Sequence, residues 1–213
     1  MLGFLCAITL LTSPAGSNDG GAPLAGTWIA DRSRSRITVH VLKSGLFSLF
    51  AHDHHFLASD WRATAAFDTA NPSEPQVEVV VSASSLRDEE PALSENDRDT
   101  VNHQAASPEV LDASRYPEIR FVSSSMRLAP RPSGSSDRGI EGVLAGTLSL
   151  HGRARPLSVP ITATRSGETW QARGFITFKQ SDFGIQPFST AGGTVSVRDE
   201  VEIEYQIVLA PAS

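Results

Sequence analysis

Cysteine is almost missing from this 213-residue chain: there is one, Cys6, inside an apolar stretch near the start. Disulfide staples and thiolate metal centres are thereby excluded, and a folded domain has to rest on its core alone. Cys6 follows Phe4-Leu5 and the apolar run continues past it, which argues against a lipid-anchored N-terminal cysteine. Positive charge is scarce as well. Eighteen Lys and Arg stand against 24 Asp and Glu, a formal charge of −6. Nucleic acid and anionic membrane both reward clustered cations, so neither is expected as a partner. The signatures of common catalytic machinery are also absent. There is no Gly-x-Ser-x-Gly elbow, no phosphate-cradling loop ending in Lys-Ser or Lys-Thr, no His-Glu-x-x-His and no cysteine nucleophile. Carboxylates from distant strands can still assemble a site, but nothing here argues for an enzyme, and a non-catalytic protein is expected.

The apolar stretch Leu2 to Leu11 is too short to span a bilayer and has the length of a signal-peptide core. Ser13-Pro14-Ala15 supplies small residues for cleavage, and Gly16-Ser17-Asn18-Asp19-Gly20-Gly21 follows as a flexible run. No Lys or Arg precedes the apolar residues, so the free amino group would be the only positive charge there. Residues 1–15 read as a signal peptide, 16–25 as a linker and 26–210 as one domain. A periplasmic or secreted protein is expected, with no stable membrane insertion after cleavage.

What is present in abundance is period-two alternation, the mark of half-buried strands. Ile37, Val39 and Val41 share one face, opposite Arg36, Thr38 and His40. Val201, Ile203, Tyr205, Ile207 and Leu209 oppose Glu202, Glu204 and Gln206. Further candidates are Phe56 to Asp68, Gln76 to Ser84, Glu118 to Leu128, Ile140 to Leu150, Leu157 to Thr164 and Thr169 to Lys179, with Trp28 to Ala30 as a short extra. Turns are expected at Asn71-Pro72-Ser73 and Ser166-Gly167, and a longer loop at Pro130 to Gly139. Gly139 to Gly146 reads as small residues in a tightly curved strand. The rhythm breaks between residues 91 and 114, where one or two short helices are expected, with Ser107-Pro108-Glu109 as a helix start. The acidic run from Arg87-Asp88-Glu89-Glu90 to Asp99 reads as a solvated loop or helix face. Many closely spaced strands without alternating helices favour an all-β barrel or sandwich.

The sharpest local cluster is Ala51-His52-Asp53-His54-His55-Phe56. On an extended strand His52 and His54 point to one side, a spacing that presents two imidazoles to zinc or copper. A third ligand would have to come from His40, His103 or His151. The same histidines serve equally as a hydrogen-bonded polar corner, or as an exposed loop. His151, in Leu150-His151-Gly152-Arg153, fits a hairpin turn in which Gly152 takes an unusual backbone angle.

Taken in order, several stretches resemble the YceI-like family of exported polyisoprenoid-binding proteins. They are Trp28-Ile29-Ala30-Asp31 with Ser35 and Ile37; Ser84-Ser85-Leu86; Tyr116 to Ser124; Gly146-Thr147-Leu148-Ser149-Leu150-His151-Gly152 with Arg155-Pro156; and Phe178 to Ile185, with a final strand after Asp199. Two stretches depart from the family pattern, Phe50 to Phe56 and the neighbourhood of Asn102-His103. The resemblance implies a lipocalin-like, antiparallel, eight-stranded β-barrel with a short helical excursion around residues 91–114. It also implies a cavity that binds, stores or transports an apolar long-chain molecule: a polyisoprenoid, an isoprenoid quinone or a fatty amide. Val39, Val41, Val79, Val81, Phe121, Leu148, Ile176, Phe178, Ile203 and Tyr205 are the candidate lining residues, with His52, His54 and His151 as polar groups at the mouth. No cofactor is required beyond the bound lipid or quinone. The alternative is a metal-binding protein or metal-dependent enzyme that holds zinc or copper on His52 and His54. Sequence leaves the oligomeric state, a homodimer included, open.

Overall fold

The computed structural model describes residues 25–44, 53–68, 71–130, 139–190 and 195–212. The expected signal peptide, most of the linker, His52 and most of the Pro130 to Gly139 loop lie outside these residues. The strands are β1 (Ala25–Ala30), β2 (Arg36–Ser44), β3 (His54–Ala58), β4 (Trp61–Asp68), β5 (Asn71–Ser82), β6 (Leu86–Asp88), β7 (Glu118–Leu128), β8 (Ile140–Leu150), β9 (Arg153–Ser166), β10 (Thr169–Lys179), β11 (Ser189–Thr190) and β12 (Val195–Pro211). One α-helix, α1 (Glu95–Ala106), sits between β6 and β7.

Six of these strands are halves of longer ones. β1 and β2 both run antiparallel to β12, with Ala30 opposite Leu209 and Arg36 opposite Gln206, and are separated by a single turn of 3-10 helix at Arg32–Arg34. β3 and β4 continue one another across Ser59-Asp60, pairing with β2 and β1 respectively. β5 and β6 do the same across a turn at Ala83–Ser85, pairing with β4 and β3. Counted this way the ring has eight strands: β1/β2, β3/β4, β5/β6, β7, β8, β9, β10 and β12. The β1–β12 and β2–β12 pairings close it. Closure removes the exposed edges that an open antiparallel sheet would present.

The kinks divide the barrel into a lower storey, walled by β1, β4 and β5 on one side, and an upper storey walled by β2, β3 and β6. Hydrogen bonds pin them. The Ser85 hydroxyl donates to the carbonyls of Asp60 and Ser82, at 3.0 and 2.8 Å. The Ser35 hydroxyl donates to Asp31 O and accepts from Val208 N–H. The Ser84-Ser85-Leu86 and Asp31/Ser35 stretches of the family resemblance are therefore hinge hardware.

Among the described residues the wall has two seams, one between β5 and β7, which pair only from Glu78 to Ser82 and from Glu118 to Val122, and one between β9 and β10. β9 and β10 pair only from Thr162 to Ser166 and from Thr169 to Arg173, although β10 continues to Lys179 along β12 and β9 begins at Arg153 along β8. Pro156 and Pro160 explain the second. Proline has no N–H to donate, and the Pro160 carbonyl faces β10, where it would crowd a Cβ on Gly174. The Tyr205 hydroxyl bridges the gap, passing over Gly174 to donate to Pro160 O at 2.6 Å. Gly146 is small for a related reason: a Cβ there would lie 2.5 Å from the Phe121 ring.

Several expectations need correction. Phe56 to Asp68 is two strands, because the Ser59-Asp60 kink interrupts it. The Asn71-Pro72-Ser73 turn falls one step too late, since Asn71 already pairs with Asp68. Ser107 ends the helix. A residue before proline is pushed out of helical ψ, and Ser107 sits at ψ 165°. The true N-cap is Ser94, whose hydroxyl accepts the Asp97 N–H with Glu95 and Asp97 in the first turn. His151 and Gly152 form the two-residue β8–β9 turn with φ of 50° and 70°, the positive pair that a type I′ hairpin needs. Asp88, within the run expected to be solvated, is one of the most buried side chains in the molecule.

Candidate functional site: a two-storey apolar interior

Each storey encloses a chamber, about 180 Å³ in the lower and about 200 Å³ in the upper. Each exceeds tenfold the ~15 Å³ that admits one water. Ile119, on β7, lines both and marks their junction. Alternation aims one face of every strand inward, and those faces are aliphatic or aromatic. Val79, Val81, Phe121, Leu148, Ile176, Ile203 and Tyr205 line the lower chamber, and Val39, Val41 and Phe178 the upper. All ten candidate lining residues thus face the interior. Sequence reasoning passed over Leu144, Ile161 and Trp170 below, and Val101, Leu111, Gln180 and Ile185 above. The first two sit on strand faces that alternation could have flagged. Val101 and Leu111 depend on how the helical excursion docks, which no local pattern encodes.

At the far end of the lower storey Trp28 stacks on Phe67 with centroids 4.3 Å apart, and Phe67 meets Trp170 edge-on at 5.5 Å. Trp28 is fully buried, and these rings form a floor. The indole N–H of Trp170 is buried, with no partner among the described residues. Burial pushes the Tyr205 phenol well above its ordinary value, so it stays protonated as a donor to Pro160.

The upper chamber has polar groups of its own. His54 lines it, and its Nδ1 lies 2.5 Å from Oδ2 of Asp88, whose side chain is wholly enclosed. The other Asp88 oxygen accepts the Glu90 N–H at 2.7 Å. The Asp88 N–H donates to the Asn102 side chain at 2.8 Å, which ties α1 to β6. Gln180 stands at the end of β10 and its Nε2 donates to Arg198 O at 2.7 Å. Ser181 holds that corner by donating its N–H and hydroxyl to Asp199, whose carboxyl is kept below the usual range chiefly by the Ser181 hydroxyl.

The other histidines face elsewhere. His55 and His40 meet on the outer surface with Nδ1 atoms 2.7 Å apart, and His40 Nε2 is 3.7 Å from Glu204. His151 is at the β8–β9 turn, with its Nδ1 3.2 Å from Phe183 O and its ring edge-on to Tyr116; it lines neither chamber. Among the described residues no three His, Cys, Asp or Glu converge to hold a metal ion, and His52 lies outside them. No helix among the described residues is long and apolar enough to cross a membrane.

A model of the YceI-like domain matches residues 28–209. The UPF0312 protein of Pseudomonas savastanoi is 26% identical over 172 residues, 78% of this chain and 80% of its own length. That of Pseudomonas fluorescens is 29% identical over 126 residues, 56% of this chain and 58% of its own. Among solved structures, Burkholderia cenocepacia BcnA superimposes with a TM-score of 0.64 at 23% identity, covering 84% of this chain and 98% of BcnA. A polyisoprenoid binding domain from Saccharophagus degradans, implicated in plant cell wall breakdown, gives 0.62 at 12% identity, covering 87% and 98%.

Proposed function

The chain belongs to the YceI-like domain family, and on that premise we propose that its barrel binds one apolar long-chain molecule and stores or carries it. The passenger is of the polyisoprenoid, isoprenoid quinone or fatty amide type, the first being the class named for the Saccharophagus degradans domain. The observation that carries the proposal is the pair of chambers sharing one wall residue, lined almost wholly by hydrocarbon, with no Lys or Arg among the described residues of either lining. Each methylene taken from water contributes about 0.8 kcal/mol. Ordering the tail and losing free translation offset much of that gain. Such a chamber selects on length and bulk. Export to the periplasm or medium, where a free lipid needs shielding from water, belongs to the same proposal.

The test is a native mass spectrum of freshly purified protein, followed by solvent extraction. A co-purifying apolar molecule at one per chain is expected. A protein that arrives empty, and neither retains an added isoprenoid nor shifts its melting temperature with one, would refute the proposal.

A further inference from the structure

Three polar side chains interrupt the lining of the upper chamber: His54, Gln104 and Gln180. Each of them has an acceptor left to offer. Asp88 accepts on both carboxylate oxygens, so the hydrogen it shares with His54 sits on Nδ1, and in the neutral imidazole Nε2 keeps its lone pair. His54 Nε2 has no hydrogen-bond partner among the described residues. Gln180 is buried and gives one Nε2–H to a backbone carbonyl, Arg198 O, which can only accept; this orients the amide and leaves Oε1 and one N–H. Gln104 turns one Nε2–H to the Ser107 hydroxyl at 3.3 Å, again leaving the oxygen and one N–H. The chamber thus presents His54 Nε2 and two amide oxygens as acceptors, beside the second N–H of each glutamine. It offers no Lys or Arg among the described residues: an anionic headgroup would be desolvated there without a counter-ion, beside the Asp88 carboxylate.

We infer that the upper chamber is a headgroup site for an uncharged hydrogen-bond donor on a long apolar chain: a terminal hydroxyl, whose one hydrogen goes to His54 Nε2, or a primary amide, whose second hydrogen goes to Gln180 Oε1. The inference rests on the ligand-binding reading above and adds which end of the ligand lies where: headgroup between β3 and α1, tail through the junction at Ile119 into the lower chamber. Asp88 acts behind His54 as a positioning residue. It fixes the tautomer, and a hydroxyl donating to Nε2 would complete a chain of bonds that strengthen one another. The fully buried Trp170 N–H below is the rival. It would instead draw a carbonyl-ended ligand headfirst to the floor.

The test uses the full chain and four probes sharing one tail: geranylgeraniol, its methyl ether, geranylgeranoic acid and the corresponding methyl ketone, each titrated by displacement of an apolar fluorophore at pH 8. The alcohol is expected to bind about tenfold tighter than the ether, the worth of one buried hydrogen bond, with the acid and ketone no tighter than the ether. His54→Phe should erase the advantage of the alcohol while leaving ether affinity unchanged. Should that variant fail to fold with Asp88 unpaired, the double variant His54→Phe/Asp88→Leu removes both partners, and Gln180→Met probes the second acceptor. Equal binding of alcohol and ether by the wild-type protein overturns the inference, as does tightest binding of the acid or the ketone. If none of the four probes binds, the ligand-binding reading itself falls.

Discussion

The Tyr205 hydroxyl reaches from one strand, across a glycine, to the carbonyl of a proline two strands away. Tyr205→Phe is expected to cost about 1 kcal/mol, the net value of one hydrogen bond, read from urea denaturation. The same residue sets an alkaline limit. Its phenol ionises above the ordinary 10.0 when folded, so it stays protonated after the unfolded chain has begun to lose that proton. Its contribution is complete below pH 10 and declines as pH rises above it. The Phe variant should therefore show a shallower fall in stability above pH 10 than the wild type. At Asp88 the stakes are larger. Asp88→Ala would strip His54 and the Glu90 N–H of their acceptor in a closed site, and a loss of about 2–3 kcal/mol is expected, with Asp88→Asn milder. Little at this scale was legible from sequence. Asp88 reads as one more acid in an acidic run, and only the pairing of Phe56 with Asp88 brings its carboxylate under His54.

At the scale of elements, periodicity served where a strand is flanked on both sides. β7, β8 and β10 run over the spans that alternation marks, Glu118–Leu128, Ile140–Leu150 and Thr169–Lys179. It failed where the ladder changes partner. The Ser59-Asp60 kink carries no glycine or proline, and three-residue β6 is too short to show a period. The helix was placed correctly and capped wrongly, because Ser94 to Asp97 and Ser107 to Glu109 look alike until Pro108 is read as a terminator rather than an initiator. Ser94→Ala is accordingly expected to cost about 1 kcal/mol in thermal melts, whereas Ser107→Ala should cost less, since its side chain caps no N–H of α1. Across the β9–β10 seam, amide exchange should be faster than across the β8–β9 ladder, where pairing is continuous from Ile140 to Leu150.

For the whole molecule, the eight-strand count was readable because kinked strands still alternate on each side of the kink, and the inward set was readable with it. Room inside the barrel was not: whether facing side chains meet or leave a gap depends on curvature, which glycines such as Gly146 and Gly174 permit but no pattern quantifies. A bulky substitution facing inward tests the gap directly. Val79→Trp, at a half-buried wall position of the lower chamber, should leave the melting temperature within a few degrees and shorten the longest isoprenoid retained, measured by native mass spectrometry. A folded variant that retains isoprenoids as long as the wild type does would mean that the lower chamber holds no tail. The closing strand has a further consequence. Trp28 pairs with Pro211 and Ile37 with Tyr205, so the ring needs both ends of the domain at once. While the protein is being synthesised, every wall except the last can form, yet the nascent sheet keeps two bare edges until β12 emerges. Delay at that step leaves the greasy inner surface open to water and to neighbouring chains, and a helper that shields newborn proteins would have its longest task there.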